Sequence, residues 1–170
     1  MNKVSVIGVG KLGLCWALNL ERNGYNVLGV DLNQEYVESL NNKTFNSSEA
    51  SVNNLLKSSN NFRVTTDIKE SVDFSDIIFI VVATPSLKDG KYNHQYLDSA
   101  VDSIIKNSNH ESVKHIVVCC TTMPGHCNKL KDKVKDSGYT LSYNPEFIAQ
   151  GSIIKDMENP DIILIGEDTP

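Results

Sequence analysis

The sequence has few cysteines, little positive charge and no long apolar run, and each shortage excludes a class of protein. Its four cysteines are too few for a secreted disulfide framework. Its net charge of −5, with no basic cluster beyond the mixed run KLKDKVKD, argues against nucleic-acid binding. No stretch reaches the ~18 apolar residues of a membrane span, and the start MNKVSVIGVG lacks a signal-peptide pattern. We therefore expect a cytoplasmic protein that binds neither membranes nor nucleic acids.

What the sequence does contain is a regular alternation of short β-branched runs with amphipathic stretches. The amphipathic stretches predict helices over 11–22 and 34–41. The apolar runs predict six strands, in KVSVIGV, NVLGVD, DIIFIVVAT, HIVVCCTT, YTLSYN and DIILIG. Runs that are apolar on both faces are typical of a parallel sheet covered by helices on both sides. We predict a single α/β domain with a doubly wound parallel sheet, in which the polar stretch 41–62 forms a surface loop or a loose helix pair.

Three glycines, Gly8, Gly10 and Gly13, form the pattern GxGxxG between the first strand and the first helix. This spacing allows a tight turn, close approach of a pyrophosphate to the helix N-terminus, and close packing of helix on strand. Asp31, at the end of the second strand, is suited to accept hydrogen bonds from a ribose. Together these features predict a dinucleotide-binding domain of the Rossmann type over residues 1–170.

The same aspartate bears on the choice of cofactor. A carboxylate would repel the extra phosphate of NADP, and no Arg follows Asp31 closely in DLNQEYVES, so NAD is the predicted cofactor. The alternative is that Asp31 only caps the next helix, which would leave the cofactor choice open.

Several further motifs resemble the UDP-glucose/GDP-mannose dehydrogenase family, specifically its NAD-binding N-terminal domain. They are SDIIFIVVATPS at 75–86, TTMP at 121–124 and YNPEFIAQGSIIKDMENPDIILIG at 143–166, in the family's order and at its intervals. The polar stretch LNNKTFNSSEASVNNLL aligns without gaps to the family pattern LNxGxxPIxEPGLxxLL, which puts Glu49 on the family's Glu. Lys43, Asn46 and Ser51 then occupy Gly and Pro positions of that pattern.

The resemblance implies an NAD-dependent enzyme that oxidises carbon 6 of a nucleotide sugar, most simply a UDP-sugar, from alcohol to carboxylate with two hydride transfers. It implies that Thr84 lies against the cofactor, that Thr122 positions the catalytic water beside the nicotinamide, and that Glu146 serves in proton transfer. An alternative for Glu146 is a charge that interacts with a helix N-terminus. Substrate contacts are expected at Glu146, Phe147 and Ile148. Cofactor contacts are expected at Gly8, Gly10, Lys11, Leu12, Gly13, Asp31, Thr84, Pro85, Thr122 and Gln150.

Four departures from the family pattern qualify these expectations. Tyr36 stands where the family pattern has a Lys. The family's LREG is IAQG here, which places Ala149 at its Arg and Gln150 at its Glu. After TTMP, the family's VGT is replaced by Gly125, His126 and Cys127. The chain also stops after IGEDTP, before the central and C-terminal domains that, by the resemblance, carry the nucleophilic Cys, a Lys and the dimerising helix. We therefore expect an incomplete enzyme, a homodimer when complete.

Two other functions remain open from the sequence. The first is a non-catalytic NAD- or nucleotide-binding module that accompanies a full-length dehydrogenase, which Tyr36, Gln150 and the early stop favour. The second is a hydroxyacid or acyl-CoA dehydrogenase, which would share GxGxxG and Asp31 but would not account for TTMP and NPEF.

The stretch CCTTMPGHC at 119–127 looks like a metal site, but its spacing argues against one. Cys119 and Cys120 are neighbours on a predicted strand and point to opposite faces, so no metal is expected there. Cys15 is interpreted as a small buried hydrophobe, and Trp16 as packing the first helix onto the sheet. The scattered residues His94, His110 and His115 are assigned no role.

Overall fold

Strands and helices alternate along the chain, as the apolar pattern predicts. The computed structural model describes residues 2–108 and 113–167. Over those residues the strands are β1 (Lys3–Ile7), β2 (Asn26–Val30), β3 (Phe62–Thr65), β4 (Ile77–Ile80), β5 (Lys114–Val118) and β6 (Tyr139–Tyr143). The helices are α1 (Lys11–Arg22), α2 (Gln34–Asn41), α3 (Val52–Ser58), α4 (Ile68–Phe74), α5 (Gln95–Lys106), α6 (His126–Val134) and α7 (Ile153–Glu158), with a 3-10 turn at Lys135–Ser137.

The six strands form one parallel sheet in the order β3-β2-β1-β4-β5-β6. At its centre, Ile7 at the end of β1 pairs with Val30 on one side and with Ile80 on the other. The strand order reverses direction between β1 and β4, and ligands of open α/β sheets bind beyond the carboxyl ends of the strands at such a point. The Rossmann-type doubly wound sheet predicted from the sequence is confirmed.

Helices cover both faces of the sheet, and each face has its own apolar cluster. Neighbouring residues of β1 take opposite sides, because successive side chains of a strand alternate: Val6 belongs to the cluster under α1, and Ile7 to the cluster under α5. Cys119 and Cys120, just beyond β5, divide between the two clusters in the same way. Trp16 packs edge-on against Phe79 of β4, with ring centroids 5.5 Å apart, which confirms its predicted packing role.

One strand predicted from the sequence is not formed, and one strand of the sheet was not predicted. The segment 161–166 was predicted as a strand, but it makes only the antiparallel bridge between Tyr143 and Gly166. Its side chains at Ile163 and Ile165 are 70% and 63% exposed. A β-branched run forms a strand only when a neighbouring strand and a core accept it, and β6 offers this segment one bridge. Conversely, β3 went unpredicted because FRVT is short and half polar, as suits a strand at the sheet edge.

The polar stretch between α2 and β3 is more ordered than a loose surface loop. Helix α3 buries Val52 and Leu56, and Glu49 is only 4% exposed. Lys43 and Ser51 have φ angles of 57° and 68°, in the left-handed region. These are two of the positions at which the aligned family pattern has glycine, so the backbone keeps the turn although the residue has changed.

No helix in residues 2–108 and 113–167 is long and apolar enough to cross a membrane.

Candidate functional site

The turn between β1 and α1 is shaped by its glycines. Gly8 has a φ of 88°, and a Cβ added at Gly13 would lie 1.8 Å from the Gly8 carbonyl oxygen, so neither position accepts a side chain. A Cβ added at Gly10 would meet no atom within 4 Å. Gly10 is also the N-cap of α1, without a side-chain cap, so the first N–H groups of the helix remain open to a ligand. The turn therefore presents an anion-binding helix start to free space.

Tyr36 supports this turn from α2. Its hydroxyl donates a hydrogen bond to the Val9 carbonyl oxygen at 2.8 Å, and its ring packs edge-on against Phe45. Burial raises the pKa of Tyr36 to about 12, so the hydroxyl remains a donor at neutral pH. Tyr36, which replaces a Lys of the family pattern, thus uses its side chain to hold the backbone of the glycine turn at Val9.

Asp31 lies directly after β2, at a cavity of about 540 Å³ that Gly8, Gly10 and Leu32 also line. Its Oδ1 accepts the Asn33 N–H at 3.1 Å, while Asn33 is the N-cap of α2 and accepts the Tyr36 N–H. Asp31 is therefore not the capping residue of the helix, and its carboxylate lines the cavity. The far wall, which sequence reasoning missed, consists of Thr66, Ile68, Tyr96, Ser99, Ala100 and Ser103.

A second cavity of about 410 Å³ adjoins the first, because Gly10 lines both. It brings together six residues that the sequence analysis selected, namely Gly10, Lys11, Leu12, Thr84, Glu146 and Ile148. Thr121, Cys119 and Cys120 complete the wall beyond β5. Pro85 and Gln150 are exposed beside it, and Phe147 is 54% exposed and lines a smaller cavity with Trp16.

Glu146 is half-buried and lines this second cavity. Burial disfavours its ionised form and raises its pKa to about 7. A carboxyl group with such a pKa exchanges protons at neutral pH, which is what a general acid or base requires.

The hydroxyl of Thr122 lies toward α6, with its Oγ1 3.6 Å from the Sγ of Cys127. The wall of the 410 Å³ cavity is instead formed by the preceding residue, Thr121. The role expected of Thr122 beside a nicotinamide therefore stays a prediction.

His94, which was assigned no role from the sequence, meets His126 of the stretch CCTTMPGHC beside the TTMP turn. The rings of His94 and His126 stack with centroids 3.8 Å apart. His94 Nε2 accepts the Met123 N–H at 3.1 Å, and His126 Nε2 lies 2.9 Å from Asp98 Oδ1. Burial lowers the pKa of His94, which favours the neutral ring that can accept this bond. The pair joins α5 to α6, so local spacing contained no signal for it.

His115 lies apart from the two cavities described above. His115 is held between the hydroxyls of Thr140 and Ser142 on β6, at 2.7 and 2.8 Å. His110 lies outside the described residues.

The cysteines are thiols in packing positions. Cys15, Cys119 and Cys120 are buried, and burial raises the pKa of Cys15 and of Cys120 to about 12, so they are protonated at neutral pH. Cys127 is partly buried next to Thr122. Among the side chains that the structure describes, no three His, Cys, Asp or Glu residues are grouped as a metal site.

Comparison with known proteins gives consistent matches along the chain. The family described as UDP-glucose/GDP-mannose dehydrogenase family, NAD binding domain, matches residues 2–170. UDP-glucose 6-dehydrogenase of Rickettsia prowazekii is 32% identical over 96% of this chain and 38% of its own length. GDP-mannose 6-dehydrogenase of Pseudomonas savastanoi pv. phaseolicola is 30% identical over 97% of this chain and 40% of its own.

The fold is also found among solved structures. A ternary complex of GDP-mannose dehydrogenase from Pseudomonas aeruginosa superposes with a TM-score of 0.90 at 29% identity, covering 96% of this chain and 40% of that one. The chain thus spans about two fifths of the length of these relatives.

Proposed function

Because the chain belongs to the UDP-glucose/GDP-mannose dehydrogenase family as its NAD-binding domain, we propose that it provides the cofactor half of a nucleotide-sugar 6-dehydrogenase. The reaction is the oxidation of carbon 6 of a nucleotide-linked hexose, of the UDP-glucose type, from alcohol to carboxylate. NAD, when bound, supplies the acceptor for the two hydrides. The observation that carries the proposal is the 410 Å³ cavity, which joins the phosphate-binding turn to Thr84 and Glu146.

The residues of the crevice fit a dinucleotide. The open helix start at Gly10, with Lys11 and Leu12 following, suits a pyrophosphate, because the first N–H groups of α1 and the helix dipole favour an anion. The 540 Å³ cavity beside Asp31 suits the adenosine, and the 410 Å³ cavity suits the nicotinamide side. Thr84, Pro85, Thr122 and Gln150 are assigned to that second side.

Asp31 is proposed to select NAD over NADP. Its carboxylate would accept hydrogen bonds from the ribose hydroxyls and repel a phosphate in their place. The described residues that line this cavity include no Arg or Lys to balance such a phosphate.

Glu146 is proposed to transfer protons at the reacting carbon. With a pKa of about 7, it is able to take up a proton as the alcohol or the attacking water loses one, and to release it afterwards. Ile148 lines the same cavity, and the exposed ring of Phe147 offers a contact for the sugar. The remaining sugar contacts and the nucleophilic thiol are assigned, by the family resemblance, to other parts of a complete homodimeric protein.

Calorimetry with NAD and NADP tests the cofactor assignment on this chain. We expect NADP to bind at least about tenfold more weakly than NAD, and Asp31→Asn to reduce that difference. Asp132→Asn, on the exposed face of α6, makes the same charge change away from the crevice and serves as the control. Equal affinity for the two cofactors, or no binding at millimolar NAD, would contradict the proposal.

The catalytic assignment is tested on the protein extended by the family's downstream domains. We expect Glu146→Gln to slow oxidation of a UDP-sugar by about 10²-fold or more while NAD affinity is retained. NAD binding without turnover in the extended protein would favour the non-catalytic module instead.

A further inference from the structure

A buried carboxylate joins three separate parts of the chain beside the cofactor crevice. The side chain of Glu49, in the turn before α3, is 2% exposed. Its Oε1 and Oε2 accept the Gly151 N–H at 2.9 and 2.8 Å, and Oε1 lies 3.0 Å from the Nζ of Lys11. A carboxylate removed from water is tolerated only when it is compensated in this way.

The two partners of Glu49, Lys11 and Gly151, lie on opposite sides of the proposed active site. Lys11 is the first residue of α1, on the phosphate-binding turn, and its Nζ also donates to Gln150 Oε1 at 3.4 Å. Gly151 ends the segment 146–151, which begins with Glu146. Gly151 has a φ of 96°, so the chain turns sharply where its N–H meets the carboxylate.

Two further hydrogen bonds tie this segment to its own helix. The Ala149 N–H and the Ser152 hydroxyl both donate to Asp156 Oδ2 at 2.9 Å, within the start of α7. Those bonds shape the segment locally but do not fix it to the phosphate-binding turn. Apart from the long bond of 3.4 Å from Lys11 to Gln150, the polar link to that turn passes through Glu49.

We propose that Glu49 is a positioning residue, which clasps the segment 146–151 to the start of α1 and thereby holds Glu146 in the cavity with Gly10 and Thr84. The proposal rests on the proposed function only in naming Glu146 as the group that is held. It assigns a role to the turn before α3, which contacts neither proposed cavity in its own right.

The negative charge of Glu49 is essential to this clasp. Burial alone would oppose ionisation, but the Gly151 N–H, Lys11 and the Ile153 N–H together outweigh it and lower the pKa of Glu49. Glu49→Gln keeps the shape but has one acceptor oxygen in place of two and an NH₂ group that would face a donor. We therefore expect Glu49→Gln to loosen the segment while the sheet remains folded.

The experiment follows the titration of Glu146 by NMR of ¹³C-labelled carboxyl groups, without cofactor or substrate. In the unaltered protein the midpoint should be near pH 7, because the side chain is held away from water. In Glu49→Gln we expect it to fall by one unit or more, as the loosened segment lets water reach the carboxyl group. Quenching of Trp16, the single tryptophan, by acrylamide should rise as well, since Trp16 lines a cavity with Glu146 and Phe147.

Two control variants separate this role from a purely structural one. Glu38→Gln removes an exposed charge on α2, and Val64→Ala on β3 weakens the apolar cluster under α1. Neither should move the Glu146 midpoint. If Glu49→Gln does not fold, Glu49→Asp keeps the charge on a shorter side chain and should shift the midpoint in the same direction. A midpoint unchanged in folded Glu49 variants would overturn the proposal. That result would leave the NAD assignment untouched, because Asp31→Asn tests it separately.

Discussion

Glu146 is a half-buried carboxyl group, and its ionised form is costly in that position. Burial raises its pKa from 4.5 to about 7, so its proton is bound more tightly in the folded state than in the unfolded state. Its contribution to stability is therefore fully present below about pH 4.5 and is lost as the pH rises through 7. At pH 8.5 the folded protein holds an ionised carboxylate in a site that disfavours it.

Glu146→Gln is expected to stabilise the protein at pH 8.5 by about 1 kcal/mol, less than the full linkage value because water still reaches the half-buried carboxylate. At pH 4.5 the difference should vanish. Urea unfolding at both pH values measures it, with the exposed residue Glu38, changed to Gln, as the matched control. An equal offset at both pH values would show that the burial of Glu146 is not the cause.

At the residue scale, the sequence predicted those features that depend on neighbours along the chain. The roles of Gly8 and Gly13 follow from spacing alone, because the turn and the helix that need them are local. The bond of Tyr36 to Val9 and the stacking of His94 on His126 join different elements. Such contacts depend on how helices pack on the sheet, and the periodic pattern of apolar residues in the sequence does not predict them.

At the scale of secondary-structure elements, the turn that leads into α3 has a strained backbone position at Ser51. Ser51 has a φ of 68° and makes no side-chain cap for α3, so its side chain adds a conformational cost without a compensating bond. We expect Ser51→Gly to raise the free energy of unfolding by about 0.5–1 kcal/mol. Lys43 is a poorer choice, because its Nζ donates to the carbonyls of Lys57 and Ser59.

Ser58→Gly is the matched control for this change, since Ser58 lies within α3 and donates to the Asn54 carbonyl. Glycine at position 58 should lower the free energy of unfolding by a similar amount, because a helical residue does not need the positive φ angles that glycine allows and loses more conformational entropy on folding. Urea unfolding of the two variants side by side should give opposite signs. If both destabilise, Ser51 is not strained.

Element prediction succeeded where periodicity and burial agree. The bounds of α1 and α2 were predicted correctly, because an apolar stripe with clear ends defines each helix. It failed for β3, whose edge position tolerates polar residues, and for the segment 161–166, whose apolar run promised a burial that the structure does not provide. An apolar run indicates that a segment gains free energy when it is buried, but whether it is buried depends on the elements that pack against it.

For the whole molecule, the wrong strand prediction at 161–166 places the end of the apolar core too late in the chain. The sheet separates two apolar clusters, and α7 is the last element that contributes to them, through Ile153 and Ile154. The following residues leave the clusters, although their composition is as apolar. Ile153 is 2% exposed and Ile163, ten positions later in the sequence, is 70% exposed.

This contrast allows the same substitution to be compared at two sites. Ile153→Ala should cost about 2–5 kcal/mol of unfolding free energy, because it removes buried methyl groups and leaves a cavity. Ile163→Ala should change it by less than about 0.5 kcal/mol, because water already reaches most of that side chain. Both are measured by urea unfolding, with an unchanged slope required to show that the same cooperative unit unfolds. A large cost at Ile163 would mean that the segment 161–166 packs as the strand its sequence predicts, and that the core extends beyond α7.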